Sequence, residues 1–266
     1  MSQTLRVPSE IPENRKMLNK VPQITLVFWI IKILATTVGE TAADFLNINL
    51  GLGLTITSLV MSGILAVVIF FQMRTRKYIP AVYWLSVVQL SVVGTLISDN
   101  LVDNPGVSLA TSTIFGVALV VVFAAWYMVE HSLSVHTIVT HRREAFYWAA
   151  ILFTFALGTS AGDLISEAAK LGYVWATVLF AGLIALIYAA FRFLKLNAIV
   201  AFWMAYILTR PLGASLGDLL TQARTAGGFG LGAMVTSAIF LTAILASVIY
   251  LTVKAKSETE TPAAAE

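Results

Sequence analysis

Along the chain, long runs of apolar residues alternate with short polar stretches. The runs lack the period-2 alternation that a membrane barrel needs. Each is about 20 residues long, enough for an α-helix to cross the hydrocarbon core of a bilayer. Helices are expected at roughly 24–48, 54–73, 79–102, 107–129, 145–168, 173–194, 199–222 and 230–253. The predicted fold class is therefore an all-α integral membrane protein with eight transmembrane helices, its partner the lipid bilayer.

Four of these runs align without gaps: FWIIKILATTVGETAADFL (28–46), YWLSVVQLSVVGTLISDNL (83–101), YWAAILFTFALGTSAGDLI (147–165) and FWMAYILTRPLGASLGDLL (202–220). In each, an aromatic–Trp pair is followed ten residues after the Trp by Gly, and five later by Asp. The tryptophans are Trp29, Trp84, Trp148 and Trp203, the glycines Gly39, Gly94, Gly158 and Gly213, and the aspartates Asp44, Asp99, Asp163 and Asp218. Each motif helix precedes one plainer apolar helix, so the unit is a helical hairpin repeated four times. Every hairpin returns to the side it left, which makes the four motif helices parallel. The repeats are expected at about 24–73, 79–129, 145–194 and 199–253, within a transmembrane domain over 22–254. Residues 1–21 and 255–266 are expected to be disordered, and no cleavable signal segment is expected.

Composition supports a membrane setting, with 58% apolar and only 12% charged residues. The placement of charge fixes an expected topology. With the N-terminus in the cytoplasm, the cytoplasmic segments hold Arg6, Arg15, Lys16, Lys20, Arg74, Arg76, Lys77, Arg142, Arg143, Arg192, Lys195, Lys254 and Lys256, and the opposite side only Lys170 and Arg224. This bias predicts both termini inside. Cysteine is absent, which removes disulfides and thiolate chemistry. No nucleic-acid module is recognisable, no cofactor is expected, and an oligomer is compatible with the sequence.

The motif positions carry distinct expectations. The Trp residues are expected as interfacial anchors at the headgroup level. The glycines suit close helix–helix approach, with local unwinding as an alternative in the fourth copy, where Pro211 precedes Gly213. Each Asp lies about 22 Å of helix rise beyond its Trp, inside the bilayer, where a charge costs at least about 2.5 kcal/mol. Reading in steps of four from each Asp gives Thr36, Glu40, Asp44, Ile48; Ser91, Thr95, Asp99, Asp103; Phe155, Thr159, Asp163, Glu167; and Arg210, Ala214, Asp218, Gln222. Each motif helix thus bears one wet stripe. These stripes are expected to face a shared axis or two paired crevices. Arg210 is expected to pair with Glu40, or with an Asp until a substrate cation displaces it. Lys32 is expected to snorkel to the cytoplasmic interface. His131, His136 and His141 are expected in a solvated loop, with a metal or pH sensor as the lesser alternative.

By its four W-x9-G-x4-D copies the chain resembles a largely uncharacterised bacterial family of four-repeat, membrane-anchored proteins, over about residues 24–253. The resemblance implies the membrane repeat fold and placement in the bacterial plasma (inner) membrane; it implies almost no function.

The residues themselves predict a non-enzymatic secondary transporter of a small hard cation, most naturally divalent (Mn or Mg class) and proton-coupled. Its pathway would use Asp44, Asp99, Asp163, Asp218, Glu40, Arg210, Thr95, Thr159, Asp103 and Glu167. The four aspartates are the expected metal ligands, because an all-oxygen set suits hard cations. A cation channel is the close variant. The alternative from another class is a membrane scaffold or regulator whose aspartates clamp helices. An intramembrane aspartyl hydrolase is disfavoured, because no copy carries Gly-x-Gly-Asp.

Overall fold

The computed structural model describes residues 19–102, 108–168 and 170–260. Eight helices follow in order: α1 (Leu26–Asp44), α2 (Leu54–Arg74), α3 (Pro80–Val102), α4 (Ser108–Glu130), α5 (His141–Asp163), α6 (Tyr173–Phe193), α7 (Ala198–Thr221) and α8 (Ala233–Glu260). All eight are long and apolar enough to span a membrane. Local chemistry sets several boundaries. The Thr25, Thr140 and Asn197 side chains cap α1, α5 and α7 by accepting backbone N–H bonds. Gly53, Gly172 and Gly232 immediately precede α2, α6 and α8 with φ of 75°, 78° and 78°, a backbone only glycine adopts readily. The hairpin turn is thus repeated in its chemistry as well as its position.

The motif helices form an inner ring, each packing on the next in the order α1, α3, α5, α7 and back to α1. The plainer helices lie outside. Each packs chiefly on the motif helix of the following repeat: α2 on α3, α4 on α5, α6 on α7, and α8 on α1. The ring is closed, with a pseudo-four-fold axis. Between 56% and 72% of the apolar window of each motif helix is buried, against 17% to 22% for the outer helices. The large apolar residues of the outer helices, such as Leu59, Val120, Leu186 and Leu245, face outward, as a lipid-facing surface requires.

Two expected boundaries differ. Residues 19–21 are not free: Lys20 and Val21 are buried. The Lys20 Nζ lies 2.5 Å from Glu144 Oε2 and donates to the carbonyls of Gln72 and Met73 in the last turn of α2. The segment before α1 is therefore tied to α2 and α5. At the other end α8 continues to Glu260, so residues 255–260 are helical rather than a disordered tail. Residues 1–18 and 261–266 lie outside the described residues.

Candidate functional site

The glycines explain the ring. A Cβ placed on Gly39 would lie 2.6 Å from Ser91 Cβ, and one on Gly94 would lie 2.5 Å from Phe155 Cβ. On Gly158 it would lie 2.5 Å from Arg210 Cβ, and on Gly213 2.6 Å from Thr36 Cβ. Thr36, Ser91, Phe155 and Arg210 each stand three residues before the motif glycine of their own copy. Every glycine therefore receives the equivalent residue of the next motif helix, and the fourth closes on the first. Close approach, and not unwinding, is what these glycines provide, and α7 runs as an α-helix through Pro211.

The aromatic–Trp pairs repeat this cyclic contact at the end of the ring where α1 begins. Phe28 packs on Trp84 (5.5 Å between ring centroids), Tyr83 on Trp148 (5.5 Å), Tyr147 on Trp203 (6.3 Å) and Phe202 on Trp29 (5.7 Å). Trp84, Trp148 and Trp203 are 1%, 5% and 5% exposed. They are interlocked core residues packed between motif helices, and only Trp29 is half-buried. The physical reason is that each ring fills the groove between its own motif helix and the preceding one. Within this layer the Tyr83 and Tyr147 hydroxyls are 2.5 Å apart, and both residues are fully buried.

Deeper along the axis, Arg210 joins all four motif helices. Its side chain is fully buried. Nη1 donates to the Thr36 carbonyl (2.7 Å), and Nη2 to Glu40 Oε2 (2.8 Å), to Thr159 Oγ1 (2.7 Å) and to Thr95 Oγ1. Glu40, Thr95 and Thr159 are equivalent positions, each directly after its motif glycine; the fourth is Ala214, whose small side chain leaves room below the arginine. The expected pairing of Arg210 with Glu40 is present. Lys32, expected at the interface, is instead fully buried. Its Nζ lies 3.8 Å from the Phe155 ring centre and 4.1 Å from that of Tyr206.

The aspartates come one further turn along, where the ring begins to open. Asp44, Asp99 and Asp163 are half-buried and Asp218 is 6% exposed. The Asp99 carboxylate lies within electrostatic reach of Glu40, Asp163, Asp44 and Arg210. Four motif-zone carboxylates from three helices thus share one field at this end. In the first and third copies the helix changes directly after the Asp to a π-helical turn, over Phe45–Asn49 and Leu164–Ala168. Such turns are rare and concentrate at functional sites. The second and fourth copies remain α-helical past their Asp.

Among the described residues no three His, Asp or Glu side chains gather closely enough to hold a metal ion. The four aspartates thus share a zone without forming one preassembled ligand set. Asp103 lies outside the described residues, and Glu167 falls within the second π-helical turn. The histidines do not converge: His131 directly follows α4 with φ of 55°, His136 sits in a 3-10 turn and His141 opens α5. His141 Nδ1 stands 3.8 Å from Glu144 Oε2.

Sequence reasoning missed the Lys32 cage and the Lys20–Glu144 pair. A signal for the first existed. Stepping back four more residues along each stripe gives Lys32, Val87, Ile151 and Tyr206, which places Lys32 and Tyr206 in one layer of the axis. Nothing local marks Lys20, whose partner is 124 residues away.

A family model described as a repeat of unknown function (DUF347) matches residues 27–78, 82–132, 146–196 and 201–257. No curated protein and no solved structure matches the chain.

Proposed function

The chain belongs to the DUF347 family of repeats, and from the site on its axis we propose that it is a secondary transporter of a small hard cation, of the divalent Mn or Mg class, coupled to protons. The observation that carries this reading is the electrostatic stack at the ring centre. A fully buried Arg210 is held by Glu40, below a half-buried zone in which Asp99 feels Asp44 and Asp163. Carboxylates this close repel one another unless a cation or protons neutralise them. The zone is therefore suited to exchange a cation for protons. Arg210 acts as the internal counter-ion of Glu40 when no substrate is bound. A transported cation competes with it for that carboxylate, and the hydroxyls of Thr95 and Thr159 hold the guanidinium throughout.

In this reading the protein is not an enzyme, and its driving force is an ion gradient. It lies in the bacterial plasma membrane with both termini in the cytoplasm, as the charge bias over the loops favours. The absence of cysteine makes orientation directly measurable. A single cysteine at Lys77 is expected to resist an impermeant maleimide on intact cells, and one at Ala226 to react; the reverse pattern overturns the orientation.

The function is tested on detergent-purified protein by thermal shift with Mn, Mg, Ca, Zn, Na and K, beside Asp99→Asn and Asp163→Asn. A ligand that binds only the folded state raises the melting temperature. Selective stabilisation by one cation, lost in both variants and matched by proton-coupled flux in liposomes, is the expected result. The scaffold reading draws on the absence of a gathered ligand set among the described residues. It takes the lead if no cation shifts the wild type and the variants merely melt earlier.

A further inference from the structure

Lys32 is not used by the transport reading, yet its position is unusual. Its Nζ is fully buried and donates no hydrogen bond to any of the described residues. It contacts Tyr206 on α7, the ring neighbour of α1, and Phe155 on α5, which stands across the ring from α1. To reach both, the side chain must cross the axis. Arg210 does the same one layer further in, running from α7 to Thr95 on the opposite helix α3. Two cationic side chains thus lie across the axis in consecutive layers, about 6 Å apart by helix rise. The aromatic faces of Phe155 and Tyr206 supply the negative quadrupole that an ammonium needs when water is excluded. Beyond Lys32, towards the end where α1 begins, lie the buried Tyr83–Tyr147 pair and the rest of the aromatic layer.

We propose that Lys32 is a tethered cation that seals the axis: its ammonium occupies an aromatic cage built for a monovalent ammonium-type cation, and with Arg210 it bars free ions from crossing beyond the carboxylate zone. A third cation entering these layers meets two like charges at short range; Glu40 is engaged by Arg210 and Glu144, on the far side of the aromatic layer, by Lys20. Passage therefore requires a conformational exchange of the ring rather than conduction through it. The inference rests on the motif axis being the transport path, and it separates a carrier from the channel variant.

The seal is tested in proteoliposomes under an imposed potential, by following passive leak of K+ and of methylammonium. The wild type is expected to leak no more than protein-free vesicles. Lys32→Ala, which empties the cage, is expected to pass methylammonium at least tenfold faster, and millimolar propylammonium is expected to suppress that leak by refilling the cage. Lys32→Met keeps the volume without the charge and reports on the charge alone if the alanine variant does not fold; its leak is expected to rise severalfold. Leak at wild-type level in folded variants overturns the proposal, and so does a passive leak already present in the wild type. Asp99→Asn, measured alongside, distinguishes the two readings. Loss of coupled flux without a change in leak speaks to the carboxylates, and a leak in Lys32 variants with coupled flux absent from the wild type leaves the seal standing without the carrier.

Discussion

Arg210 reaches from α7 to α1, α3 and α5 with one side chain, so its loss is felt at the centre of every inner interface. Removing one member of a buried ion pair leaves the other charge uncompensated and costs about 3–5 kcal/mol. Arg210→Met is expected to lower the melting temperature sharply, and Glu40→Gln less, because the hydroxyls of Thr95 and Thr159 still hold the guanidinium. The double variant is expected to be less damaged than the sum of the two, a coupling that a double-mutant cycle by thermal melt would read; strict additivity would deny the pair. The glycines offer a cleaner contrast. Gly94→Ala drives a methyl into Phe155 and the backbone of Ala156, an overpacking expected to cost about 1–3 kcal/mol. Gly182→Ala on the outer helix α6 meets open space and is expected to be neutral or slightly stabilising. Equal effects at the two sites would remove the close-approach argument. The Glu40–Arg210 pair was legible because each residue puts a charge on the polar stripe of its own motif helix where the equivalent positions of the other copies are uncharged. Lys32 was not legible as an axial residue, because a lysine early in an apolar helix has the spacing of one that snorkels to the interface. Trp84, Trp148 and Trp203 are buried in the ring, and the lysine one turn past Trp29 turns inward to Phe155 and Tyr206.

At the level of the helices, the element list and its order were readable from hydropathy alone, since a span of about 20 apolar residues has one stable solution in lipid. Which helix packs on which was not readable. Hairpin connectivity favours α2 against α1, but α2 packs chiefly on α3. The glycine face of each motif helix is occupied by the next motif helix, so the outer helix covers the seam ahead of it. The strap before α1 was invisible for a related reason: the contacts that tie it to α2 and α5 are long-range. Lys20 satisfies carbonyls at the C-terminus of α2 and a carboxylate at the N-terminus of α5, where cation and anion are each favoured by the helix ends. Gln72 and Trp148 donate to the same carboxylate, at 3.2 and 3.4 Å. Lys20→Met is therefore expected to leave Glu144 buried without its cation, and to raise hydrogen exchange over the strap and the last turn of α2 well before α3 or α7 is affected. Glu144→Gln in the same background is expected to restore part of the protection. Exchange that rises uniformly over all eight helices, or not at all, would show that the strap is not a separate local element.

For the molecule as a whole, the closed cyclic contacts mean that no seam between repeats is privileged. The contact of α8 with α1 and of α7 with α1 repeats what α2 and α1 make with α3. The covalent breaks therefore fall where they do without a packing reason. A circular permutant that opens the chain between Lys195 and Leu196, and joins Glu266 to Met1, puts this to a direct test. The opening lies in a connection where Lys195 holds a left-handed φ of 57°, unfavourable for a side-chain-bearing residue, so cutting there removes strain rather than structure. Residues 261–266 and 1–18 together are 24 residues, a length that spans up to about 79 Å when extended. An even number of membrane crossings puts both chain ends and the new opening on the same side, so the permuted order asks no helix to reverse direction. The permutant is expected to insert, to elute as a single species in detergent and to melt within about 5 °C of the native order. Deleting the fourth repeat leaves Gly158 without Arg210 and α1 without α8, and is expected to give no cooperative transition. A permutant that aggregates while the native order remains soluble would mean that the seam between the fourth and first repeats differs from the other three, and that the ring is held by chain order as well as by its repeated contacts.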